Sequence, residues 1–97
     1  MSDLVPIITH EVRELLRERG VSERRDLSAE TSLIADVGLD SLAFVDLTFR
    51  LEAKLGLREL PLQDWIDAES MKVGRQHTIG SLSEYTNSVR EMQSGWA

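Results

Sequence analysis

Ser41 is the residue whose type and setting point most directly to chemistry. It follows Val37-Gly38-Leu39-Asp40 and opens a run in which Leu42, Val45, Leu47, Phe49, Leu51 and Leu55 recur mostly at helical spacings among Asp46, Arg50, Glu52 and Lys54. That alternation predicts an amphipathic helix beginning at Asp40 or Ser41. Both residue types suit an N-cap, and Gly38 is expected to permit a tight approach that a Cβ would resist. A hydroxyl placed there stands beside unpaired backbone N–H groups and the positive end of the helix dipole. The chemistry such a place favours is attachment of a phosphate rather than catalysis by the serine.

A serine preceded by aspartate ahead of a helix is most often only a cap, so the tripeptide Asp40-Ser41-Leu42 is weak by itself. Other chemistries fare worse. Gly38-Leu39-Asp40-Ser41-Leu42 looks superficially like the Gly-Asp-Ser-Leu block of one esterase family, but the inserted Leu39 spoils the match. The chain also lacks the strands and the well-placed base that a hydrolase serine needs. His10 and His77 are far apart, have no Cys or His partner at ligand spacing, and read as solvated surface residues. The acidic residues Glu52, Glu59, Asp64, Asp67 and Glu69 show no calcium-loop spacing and read as a solvated face. No catalytic residue and no resident metal are expected.

The surroundings of Ser41 are more specific than the tripeptide. The run Thr31-Ser32-Leu33-Ile34-Ala35-Asp36-Val37-Gly38-Leu39-Asp40-Ser41-Leu42, with Leu51-Glu52-Ala53-Lys54-Leu55-Gly56-Leu57 closing the helix, resembles the acyl carrier protein family around its phosphopantetheine attachment site. The likeness runs over most of the chain and is densest between Leu33 and Leu57. It implies that Ser41 bears a covalent 4′-phosphopantetheine taken from coenzyme A, with Asp40 as the adjacent transferase or metal contact. Leu42 would anchor the helix in the core, and magnesium would enter only transiently during attachment. The implied partners are a phosphopantetheinyl transferase and acyl-loading and acyl-transferring enzymes. They would meet a surface made of Ala43, Asp46, Phe49, Arg50 and Glu52.

The implied role is a non-catalytic carrier that holds acyl intermediates as thioesters for fatty acid, polyketide or related specialised biosynthesis. A peptidyl or aminoacyl carrier and an unmodified interaction module are the alternatives. A chain without cysteine fits a thiol supplied by a prosthetic group. Two departures set it apart from housekeeping fatty acid members. The segment Ser70–His77 is longer than a minimal version needs, and the serine helix mixes Ala43, Phe49, Arg50 and Lys54 with its acids, which favours apolar contact with partners. The spacing of Phe49 permits a core position, the favoured reading, or an exposed docking aromatic. Trp65 is read as core, with the entrance used by an acyl chain as its alternative.

The elements that must hold this site follow from periodicity. A first helix is expected over Leu4 to Arg19, striped by Leu4, Ile7, Ile8, Val12, Leu15 and Leu16 and ended by Gly20. Val21 to Leu39 is too sparse in apolar residues for an element and reads as a long loop pinned by Leu27 and Leu33. Gly56 ends the serine helix, and Leu60-Pro61 starts a short third helix to Glu69 with Leu62, Trp65 and Ile66 facing inward. A last helix begins near Thr78 or Ser81, where Ser81 and Glu84 have capping-box spacing, and buries Leu82, Tyr85, Val89 and Met92. The expected fold is all-α: a small four-helix bundle of acyl-carrier type with a long first loop and a short third helix. One carrier domain spans residues 1–97, the last few forming a tail.

Eleven Lys and Arg stand against 17 Asp and Glu, a net charge of −6. That balance argues against nucleic acid and anionic membranes and for protein partners. No apolar run reaches the length of a membrane span, and the N-terminus has no secretory pattern, so a cytoplasmic monomer is expected.

Overall fold

A computed structural model describes residues 3–21 and 26–94. The chain forms α1 (Val5–Glu18), α2 (Ser41–Leu55), α3 (Leu62–Ser70) and α4 (Ile79–Ser94). Among the described residues the only extended pairing is an isolated bridge between Ser32 and Thr78. The all-α bundle with a short third helix is therefore present as expected. The expected tail lies outside the described residues.

α1 is started by Pro6 in its first turn and buries Ile8, Val12, Leu15 and Leu16. Its end closes as a Schellman motif, with Gly20 N–H donating to Arg17 O and Val21 N–H to Leu16 O. The buried stripe packs on α2 and α4. Leu4 is buried too, and its N–H donates to the Ser83 hydroxyl of α4 at 3.1 Å.

The long first connection is pinned, by Leu33 at 0% exposure and by the half-buried Leu27 packed against the core. It is also stitched to the start of α4. Leu33 N–H donates to His77 O, Ile79 N–H to Thr31 O, and Gly80 N–H to Ala29 O. The approach is close enough that a Cβ on Gly80 would stand 3.0 Å from the Ala29 carbonyl oxygen, so glycine is needed there for space.

α4 begins after Thr78, whose hydroxyl accepts the Ser81 N–H at 3.1 Å. The first of the two expected caps is the real one. Ser81 lies inside the helix and its hydroxyl instead accepts the indole N–H of Trp65 at 3.1 Å. Leu82 is buried and Tyr85 and Val89 pack partly against the core, but Met92 is 69% exposed. The last turn of α4 meets the rest of the chain through Gln93 instead, which accepts the Arg58 N–H and donates to Glu59 O.

Candidate functional site

Asp40 is the N-cap of α2, in extended backbone, with Oδ1 accepting the Ala43 N–H at 2.8 Å. Ser41 is the first helical residue and is exposed. Because the aspartate does the capping, the serine hydroxyl is not required to satisfy the helix end. Gly38, three residues earlier, has φ +81 and nothing within 4 Å of where a Cβ would sit. The expected tight approach is absent. Glycine serves the left-handed turn that brings Leu39 back into the core before the cap.

α2 has two apolar faces. Ala43, Phe44, Leu47 and Leu51 are buried, whereas Leu42, Val45 and Phe49 are 73%, 51% and 65% exposed. At 100° per residue these two sets point in opposite directions. The expectation that Leu42 anchors the helix in the core is overturned: Phe44, two positions on, does that. Phe49 takes its alternative, exposed place, and Ala43, expected on the partner surface, is buried.

The remaining residues of the expected partner surface are engaged within the chain. Arg50 donates through Nη2 to Glu18 of α1 at 2.7 Å and through Nε to Asp46 at 2.8 Å. Those hydrogen bonds, to Glu18 first and then Asp46, hold its guanidinium still more firmly charged against the opposing cost of burial. Arg19, at the end of α1, stands 3.9 Å from both Asp40 and Asp46. Glu52 accepts the Leu60 N–H at 2.8 Å and so braces the turn between α2 and α3.

A cleft of about 580 Å³ opens beside Ser41. Leu39, Phe44, Val45, Thr48 and Phe49 line one side, Leu60, Pro61, Leu62, Gln63 and Ile66 the other, with Ile34 at its edge. The cleft thus runs between α2 and α3 and is walled mainly by hydrocarbon. Trp65 does not line it. The ring is 3% exposed and backs Phe44, with ring centres 6.4 Å apart.

The position of α3 depends on a polar hub that the sequence did not advertise. His77 is buried rather than solvated, and it adopts φ 60, unusual for a residue with a side chain. Its ring meets Trp65 edge-on, and Nε2 lies 3.0 Å from Ile66 O, so that nitrogen carries a proton and donates. Its own N–H donates to Glu69 Oε1 at 2.9 Å, while Lys72 Nζ donates to Oε2 at 2.7 Å. Glu69 is thereby also removed from the expected solvated face, at 4% exposure. Burial alone would raise its carboxyl, but hydrogen bonds from Lys72, Ser81 and the His77 N–H, with the charge of Lys72, hold it below the ordinary range. The long Ser70–His77 segment earns its length here, since its Arg75 also reaches Glu30 O and Asp36 of the first connection. His10 is exposed as expected, and no group of His, Cys, Asp or Glu among the described residues could hold a metal ion.

Sequence reasoning thus missed Leu42 and Val45 as surface, and Phe44, Leu60 and Ile66 as cleft. The available signal was that apolar residues surround α2, which one buried stripe does not need.

Comparison with known families decides the class. A family profile described as a phosphopantetheine attachment site matches residues 10–85. The chain belongs to the acyl carrier protein family. Its cofactor is covalently attached 4′-phosphopantetheine, and the site fits that group: an exposed hydroxyl, freed from capping, at a helix N-terminus beside an apolar cleft. Similar proteins include the acyl carrier protein AcpXL of Rhizobium meliloti (strain 1021), of Rhizobium etli and of Brucella melitensis. Each is 32% identical over 54 residues, which is 56% of this chain and 56%, 58% and 57% of theirs. The chain matches a little over half the length of these relatives. No solved structure matches it. No helix among the described residues is long and apolar enough to cross a membrane.

Proposed function

We propose that the chain acts as a single carrier domain on which Ser41 bears the phosphopantetheine arm, serving fatty acid, polyketide or related specialised acyl biosynthesis without catalysing a reaction itself. The observation that carries this reading is the division of labour at the head of α2: Asp40 caps, and Ser41 is left exposed with its hydroxyl uncommitted. On attachment the Ser41 oxygen forms the new P–O bond, the nucleotide half of coenzyme A leaves, and the hydroxyl proton goes to a base that the transferase supplies. The helix dipole favours the resulting phosphodiester by about 0.3–1 kcal/mol. Once attached, the arm's thiol holds cargo as a thioester and raises its concentration at each partner's active site.

The hydrocarbon walls of the cleft favour an apolar acyl cargo over a peptidyl or aminoacyl one, because a polar group there would lose water without gaining partners. The same reading gives Leu42, Val45 and Phe49 the docking role. Asp46 and Arg50 neutralise one another and Glu18 ties them to α1, so the outer face offers hydrocarbon more than charge. A serine hydrolase is disfavoured by the engagement of His77 Nε2 with the Ile66 carbonyl, which removes it as a base. The test is intact mass after incubation with coenzyme A, magnesium and a phosphopantetheinyl transferase. The wild type gains one phosphopantetheine and Ser41→Ala none; equal gain in both contradicts the assignment.

A further inference from the structure

We propose that Arg19 is the counterion of the phosphodiester, an inference that rests on the assignment of Ser41. Among the described residues, Arg19 meets Asp40 and Asp46 at the head of α2. Asp40 and Asp46 each have a nearer partner than Arg19: Asp40 Oδ1 accepts the Ala43 N–H at 2.8 Å, and Asp46 Oδ1 accepts Arg50 Nε at 2.8 Å. Arg19 stands 3.9 Å from each carboxylate, through Nη1 to Asp40 and Nη2 to Asp46. Those separations are outside hydrogen-bond range, so the guanidinium feels both charges without being committed to either carboxylate.

A phosphodiester on Ser41 adds a third negative charge to this corner. Arg50 does not answer it, because both of its arms are held by Glu18 and Asp46. Among the described residues Arg19 is the cation that pairs with Asp40, its side chain is 38% exposed, and a planar guanidinium presents paired donors that match two phosphate oxygens. Its backbone is fixed at the capped end of α1, so reorientation of the side chain alone moves it from the carboxylates to the phosphate. Arg19 is therefore a positioning residue. It restrains the base of an otherwise swinging arm and relieves the repulsion that attachment creates.

The test compares the chain without and with its arm, in the wild type, Arg19→Ala and Arg17→Ala. Arg17 removes the same charge two residues earlier but pairs with Glu14 inside α1. Intact mass first establishes loading. Attachment should then be less favourable to Tm in Arg19→Ala than in the wild type by about 3 °C at low salt, as an exposed ion pair in a domain of this size predicts. Arg17→Ala should match the wild type. The 31P resonance of the diester should shift in Arg19→Ala and in Arg19→Lys, which keeps charge but loses the planar fork, and should stay unmoved in Arg17→Ala. A resonance and a Tm change on attachment that are the same in Arg19→Ala as in the wild type overturn the counterion role while leaving Ser41 intact. If no variant gains the arm, the Ser41 assignment itself fails and this inference goes with it.

Discussion

The two apolar faces of α2 are made of the same kinds of residue and do opposite things. Ala43, Phe44, Leu47 and Leu51 face inward, with Leu47 and Leu51 at 0% exposure, and pin the helix to the core. Leu42, Val45 and Phe49 face solvent in an i, i+3, i+7 row, as regular a stripe as any core face presents. Periodicity therefore identifies a helix and an apolar face but does not say whether the chain itself or another molecule covers that face. The distinction comes from elsewhere in the chain: α1 offers a matching stripe to the inner face, and no helix of the described chain covers the outer one.

The sharpest way to break the comparison is to put a charge on each face. Leu47→Asp buries an unpaired carboxylate and should abolish cooperative folding, a loss of several kcal/mol. Leu42→Asp or Val45→Asp should leave the free energy of unfolding within about 0.5 kcal/mol of wild type. Urea unfolding followed by circular dichroism reads both. Equal damage from Leu42→Asp and Leu47→Asp would erase the difference between the faces.

A second effect reaches the inner face from behind. Phe44 leans on Trp65, which shares Ser81 and His77 with the Glu69 hub. Because the folded carboxyl of Glu69 is held below its ordinary value of 4.5, its contribution to stability is complete above that value. That contribution is lost as pH falls through the lowered folded value. Acid should thus loosen α3, and thermal melts across the acid range should show a shallower pH dependence in Glu69→Gln than in the wild type.

The outer-face ion pairs should matter less. Arg50→Ala leaves Glu18 and Asp46 without their nearest cation and should cost about 1 kcal/mol, less in high salt. Smallest of all for stability is Phe49→Ala, which removes an exposed ring and should leave Tm unchanged while slowing loading by a transferase. Melting curves paired with loading rates separate the two quantities. A Phe49→Ala chain that melts early but loads at the wild-type rate would place that ring in the core's service.

Much of this was legible in the residues. Four helices follow from apolar periodicity, Gly20, Gly56 and Pro61, and Ser41 stands out through the run from Thr31 to Leu42. Three things were not legible, each for a physical reason. Leu42 was misplaced because α2 is apolar on two sides, so several stripes fit its sequence equally well. Ser81 resembled a cap because Thr78 and Ser81 are both hydroxyl residues at the head of α4, and only the approach of Trp65 decides between them. His77 and Glu69 read as surface because polar residues usually are; their burial depends on a hydrogen-bond set drawn from α3, α4 and both long connections.

Everything proposed for α2 depends on the arm sitting on Ser41 and on no other hydroxyl. The most direct test is fragmentation of the loaded chain in a mass spectrometer, with the added mass located residue by residue. Fragments containing Ser41 should carry the phosphopantetheine, and all others should be unmodified. The added mass on a different serine, or no added mass after treatment with active transferase, would contradict that placement.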